Sequence, residues 1–124
     1  MIKVKHLMDD IEPDDGERIW VEPIGLTRDL QEWCGVHHVA TGLGPPLDVW
    51  LWFERHPKDY HLFRSFYHDH LAHRRDRAGL PALAALSLHS NLTLLHQGRN
   101  PCENSAAALS EYFEAIGARV APRA

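Results

Sequence analysis

Residues 91–113, NLTLLHQGRNPCENSAAALSEYF, constrain the fold most tightly, because they read as a buried strand, a polar loop and an amphipathic helix in direct succession. Leu92, Leu94 and Leu95 form a short apolar run. Asn100, Pro101 and Glu103 then carry the marks of a helix start: an N-cap, a proline at the first helical position and an acid in the first turn. A strand that hands its loop to a helix N-terminus turns backbone N–H groups and the positive end of the helix dipole outward. Arg99 and Cys102 fall at that point, so the segment marks a location for anion binding or thiol chemistry.

The rest of the chain supplies partners for such a unit. Ile2, Val4 and His6 alternate with Lys3 and Lys5, the pattern of a half-exposed strand. The acidic stretch DDIEPDDGE, with Pro13 and Gly16, predicts a turn or one helical turn, and RIWVE from Arg18 to Glu22 predicts a second strand. The link of about ten residues between these strands is marginal for a parallel crossover and generous for a hairpin, so strand direction stays open. Leu30 to Trp33 form a short helix, and residues 35–46 a loop rich in glycine, proline and histidine. Leu47 to Arg55 are apolar on nearly all sides, which predicts a deeply buried helix with Trp50, Trp52 and Phe53 as anchors.

Residues 57–77 show a helical period, with Tyr60, Phe63, Tyr67 and Leu71 on one stripe widened by Phe66 and His70. Gly79 and Pro81 end that helix, and Leu83 to Leu88 form another. In the last helix, expected over residues 101–116, Leu109, Tyr112, Phe113 and Ile116 face inward, and the tail after Gly117 frays. Short strands separated by helices make this an α/β protein: a single helix-rich domain over residues 1–124, with a small mixed or parallel sheet flanked by helices.

Composition excludes several classes. At 124 residues, 44% apolar and 24% charged, the chain has room for one core and not two. No apolar run approaches the ~18 residues that span a bilayer, and MIKVKHLMDD lacks the apolar stretch of a signal peptide. The expected location is the cytoplasm, where Cys34 and Cys102 remain thiols. The formal charge of −4 argues against a nucleic-acid partner, although ten histidines would carry it to +6 if all were protonated.

In their order, the opening MIKVKHL, then DDGERIWVE, then WFERHPKDYHLFRSFYHDHL, then LTLLHQGRN with Glu103 and Asn104 ahead of a helix resemble a bacterial family known as domain of unknown function 488. The resemblance covers nearly the whole chain and supports the α/β fold. Members of that family carry an Asp-Arg-Leu-Trp-Pro-Arg-Gly turn after the second strand, a run that looks like a polar site. Here the equivalent stretch is Glu22-Pro23-Ile24-Gly25-Leu26-Thr27-Arg28. The resemblance keeps the acid as Glu22 and replaces the first arginine by Pro23 and the tryptophan by Gly25. It sets Thr27 at the second arginine, with Arg28 as a neighbouring substitute. It also implies that Arg99 and Asn104 in the last strand-helix loop match.

The leading functional expectation is binding of a small anionic ligand at the C-terminal end of the 92–95 strand by Arg99, Asn104 and Glu22, following the rule that parallel sheets bind ligands there. Cys102, placed at the second helical position, and His96 at the strand end are the further candidates. With Arg99 they would serve an enzyme of unassigned class, yet no Cys-x-x-Cys pair or Cys-x5-Arg loop accompanies Cys102. The third expectation is an interaction module that dimerises through the aromatic region from Trp50 to Tyr67. No cofactor is expected. No metal is expected either: His61 and His68 share one helix face and His70 and His73 another, His37 and His38 lie in a loop, and no zinc-binding spacing occurs. The basic run His70 to Arg77 complements a helix C-terminus.

Overall fold

The computed structural model describes residues 1–74 and 79–122. Four strands form one parallel sheet in the order β1-β4-β2-β3, with β1 at Ile2–His6, β2 at Glu17–Trp20, β3 at His38–Val39 and β4 at Leu92–His96. Every residue of β4 is buried, as a central parallel strand covered on both faces requires. The question of direction left open by the short β1–β2 link is settled by β4, which lies between those two strands and pairs parallel with both.

The link itself returns past the lower end of β4 through a 3-10 turn at Pro13–Asp15. Asn91 Nδ2 donates to Asp14 O at 2.7 Å and Thr93 Oγ1 to Asp15 O at 2.7 Å. Gly16 follows with φ of 63°, and a Cβ there would stand 1.9 Å from the Asn91 carbonyl oxygen. Only glycine meets both demands. Asp15 and Arg18, each 1% exposed, form a 2.6 Å ion pair that Lys3 and Lys5 join. Arg18 also donates to the carbonyls of Gly35 and Cys34.

One face of the sheet carries α2 (Leu47–Arg55), α3 (Tyr60–Ala72), α4 (Gly79–Leu86) and α5 (Ser105–Ala115). The stripe Tyr60, Phe63, Tyr67 and Leu71 is buried as its spacing predicts, and Phe63 stacks on Phe53 at 4.2 Å. Phe66 and His70, expected to widen it, are exposed, because α3 offers only a narrow side to the core. Likewise α2 keeps its predicted bounds but not its deep burial: Trp50 and Phe53 are buried while Leu47 and Leu51 are about half exposed, since α2 covers the sheet from one side only. The other sheet face is covered by the segments that flank α1 (Arg28–Trp33), where Ile24, Leu26, Cys34 and Val36 pack on Leu7, Trp20 and Leu95, while no residue of α1 itself is buried.

Several boundaries move. Within the expected loop at 35–46, β3 pairs with β2 through His38 and Val39. Gly79 and Pro81 open α4 instead of ending α3, and of the basic run His70 to Arg77, Arg75, Asp76 and Arg77 lie outside the described residues. Leu109 and Phe113 are buried and Tyr112 partly so, whereas Ile116 turns outward. Past Gly117, where fraying was expected, Ile2 N–H donates to Arg119 O and Ala121 N–H to Ile2 O, so the chain lies along the open edge of β1.

Candidate functional site

The chain leaves β2 toward α1 on one face of the sheet and leaves β4 toward α5 on the other. A crevice must open between the C-terminal ends of two parallel strands whose connections part in this way. It is a cavity of about 340 Å³ whose walls include Glu22, Trp50, Phe53, Glu54, Arg99 and Ser105. Glu22 and Arg99, which stand 77 positions apart in the chain, thus meet on one cavity, with Asn104 beside them.

Glu22 is 2% exposed. Its Oε2 accepts the Trp50 indole N–H at 2.8 Å, and its Oε1 is buried without a hydrogen-bond partner among the described residues. Burial pushes this carboxyl above the ordinary range. The Ser105 hydroxyl, near but outside hydrogen-bond geometry, and the Trp50 N–H pull it back, and Glu54 adds to the rise. A buried acceptor left unmade costs about 1–3 kcal/mol, so the free oxygen is an expense of the fold that a ligand donor would relieve.

Arg99 is exposed at the mouth, and no described residue forms an ion pair or hydrogen bond with its guanidinium. Asn104 is buried and hydrogen-bonded at both side-chain polar atoms. Its Oδ1 accepts from Ala107 N–H at 2.8 Å and its Nδ2 donates to Asn100 O at 2.9 Å. It is the N-cap of α5, a role expected of Asn100; the helix begins at Ser105 and not at Pro101. Asn100 instead closes a local turn, its Oδ1 accepting the backbone N–H groups of Cys102 at 2.9 Å and Glu103 at 3.2 Å. Asparagine side chains favour both arrangements.

Cys102 therefore stands in the loop ahead of α5 and lacks the helix-terminal placement on which the thiol argument relied. Its exposed side chain lines a different cavity, with Ser110, Glu111 and Glu114. His96 is 2% exposed and lies on a neighbouring cavity that shares Gly98 and Arg99 with the first. Gly98 sits between them, where a Cβ would stand 3.0 Å from that of Asn104. Thr27 caps α1, its Oγ1 accepting from Leu30 N–H at 3.2 Å, and Arg28 begins that helix outside the cavity walls.

Reasoning from the residues alone missed Trp50 as a partner of Glu22. Its signal was available, since a buried tryptophan needs an acceptor for its N–H. Among the described residues, the acids gathered closely enough for a cation are Glu12, Asp14 and Asp15, and Lys3, Lys5 and Arg18 already neutralise them. His37 and His38 lie against Glu17, and His68 against the Ala108 carbonyl.

The family described as domain of unknown function DUF488 matches residues 3–113. An uncharacterised protein of Mycobacterium bovis and two of Mycobacterium tuberculosis are each 28% identical over 116 residues, covering 89% of this chain and 91% of theirs. No solved structure matches the chain.

Proposed function

The chain belongs to the DUF488 family, and we propose that it binds a small anionic ligand in the cavity above β2 and β4, through an anionic group on Arg99 and a hydrogen-bond donor on Glu22. The observation that carries this reading is the Glu22 carboxylate, buried with one oxygen unpartnered on the wall of a cavity. Structural carboxylates buried this deeply are normally satisfied on both oxygens. Electrostatics narrows the chemistry. Glu22, Glu54 and Glu103 share the walls with Arg99, so a ligand that is anionic throughout would be repelled, whereas one with an N–H or O–H group at its other end matches both poles. Cys102 lines neither cavity that holds Arg99, and no catalytic step is assigned to it.

The test is a thermal-shift panel on untagged protein, with carboxylates and phosphates that carry amino or hydroxyl groups set beside acetate and sulfate that carry none. A ligand at ~100 times its dissociation constant stabilises by about 2.7 kcal/mol. A saturable shift with the bifunctional compounds, lost in Arg99→Ala and in Glu22→Gln, is expected. A shift that survives both substitutions contradicts the assignment.

The half-exposed Leu47, Leu51, Leu62 and Phe66 on α2 and α3 support a second reading, self-association through that face. Sedimentation at micromolar concentration checks it, with a dimer that Phe66→Glu dissolves as the expected outcome and a monomer at all concentrations as its refutation.

A further inference from the structure

A second cavity of about 320 Å³ adjoins the first through Gly98 and Arg99. Its floor is the paired ends of β1 and β4, where His6 and His96 stand opposite each other in register with their rings edge to face, centroids 5.4 Å apart. The backbone fixes the tautomer of both. Gly98 N–H donates to His96 Nδ1 at 2.9 Å, and Met8 N–H donates to His6 Nδ1 at 3.1 Å. A ring nitrogen that accepts from an amide carries no proton, so each neutral imidazole bears its hydrogen on Nε2. Burial, with His6 adding to it and Asp9 opposing, holds His96 down at about 4; at neutral pH it is an uncharged donor.

Neither Nε2 has an acceptor among the described residues. Arg99 reaches the same cavity with its guanidinium unpaired. Lys5, also on the wall, is spent on Asp10 O, Glu12 and Asp15. Asp9, the carboxylate there, turns its Oδ2 to the His6 backbone N–H at 2.9 Å. Donors thus outnumber carboxylates on this side of Arg99, whereas on the other side three carboxylates, Glu22, Glu54 and Glu103, share the walls with it.

We propose that the cavity is an oxyanion subsite, in which His6 Nε2–H, His96 Nε2–H and Arg99 hold the phosphate or carboxylate end of a small ligand. This deepens the reading above and rests on it for Arg99 alone. Glu22 takes no part, so the two assignments fail separately.

The experiment is a titration of the full chain, labelled with ¹⁵N in its histidine rings, with inorganic phosphate at pH 7.5 against chloride at matched ionic strength. The Nε2–H signals of His6 and His96 move saturably with phosphate, and the other eight histidines stay with the chloride control. His6→Asn and His96→Asn, which keep an acceptor for the backbone amides of Met8 and Gly98 and take away the Nε2–H donor, each weaken phosphate binding about tenfold. Should His96→Asn fail to fold, the half-buried His6 carries the comparison. Uniform movement of all histidines, or unchanged affinity in the folded histidine variants, overturns the subsite. Phosphate binding that persists while the bifunctional ligands fail upholds the subsite and removes the role of Glu22.

Discussion

Replacing Glu22 by glutamine should stabilise this protein, which is the reverse of the usual effect of altering a buried polar residue. Glutamine has nearly the same volume and keeps an oxygen for the Trp50 N–H that now sits 2.8 Å from Oε2. What it changes is an ionised oxygen buried without a partner into a neutral amide NH2 facing the Ser105 hydroxyl, so the penalty for burying the charge, about 1–3 kcal/mol, is removed. The gain must depend on pH in a definite direction. Burial raises the folded-state pKa of Glu22, so the folded protein prefers the protonated form. Above the raised value both folded and unfolded chains are ionised and the full penalty is present. Below the ordinary glutamate range both are protonated and the penalty vanishes. Urea unfolding at pH 7.5 should therefore show Glu22→Gln more stable by about 1–3 kcal/mol, with a rise in Tm of about 4 °C per kcal/mol, and the gain should shrink toward zero near pH 4. A variant destabilised at pH 7.5, or a gain equal at both pH values, would show that the buried Glu22 charge carries no such penalty. The same substitution should abolish binding of bifunctional ligands, the exchange of stability for function expected at a site of this kind.

Asp15→Asn should destabilise by about 3–5 kcal/mol, since it leaves Arg18 charged and buried; a loss under about 1 kcal/mol in urea would show that Arg18 finds other partners. In the parent protein burial pushes Asp15 up, but the Glu12 backbone N–H and the cations of Lys5, Arg18 and Lys3 outweigh it and hold the group at about 2. Its contribution of roughly 2 kcal/mol is present above about pH 4 and lost as pH falls toward 2, a slope that acid unfolding of the parent should show and that of Asp15→Asn should lack. Gly16→Ala sets a Cβ against the Asn91 carbonyl in a left-handed backbone and should cost about 2 kcal/mol or more; a neutral result by thermal melting would contradict the described turn. Native alkylation should modify the exposed Cys102 and spare the buried Cys34 until unfolding, and equal rates by mass spectrometry would contradict that placement.

Much of the fold is legible because burial follows period. Leu92, Leu94 and Leu95 mark a central strand, and Tyr60, Phe63, Tyr67 and Leu71 mark a helix stripe, since apolar residues at those spacings have one way to reach a common core. β3 is not legible: two exposed residues, His38 and Val39, carry no period and owe their pairing to the edge that β2 offers. The start of α5 misleads because Asn100 and Asn104 are equally good caps in sequence, and only the folded loop spends Asn100 on a turn. The burial of Asp15 with Arg18 is likewise invisible, because a charged pair three residues apart on an acidic stretch reads as surface until Lys3, Lys5 and the Gly35 carbonyl close around it. At the site, strand-end logic and family resemblance name Glu22 and Arg99. The strand order that brings them to one cavity, and the register that sets His6 beside His96, are tertiary facts.

Whether Glu22 and Arg99 hold a ligand between the ends of β2 and β4 is read from the backbone and indole N–H signals of the full chain during titration with a bifunctional compound from the panel. Saturable shifts confined to the Trp50 indole N–H, Glu22, Gln97 to Asn100 and Ser105 are expected, and none of them in Glu22→Gln. Binding that moves signals elsewhere and leaves the Trp50 indole N–H in place would contradict that site.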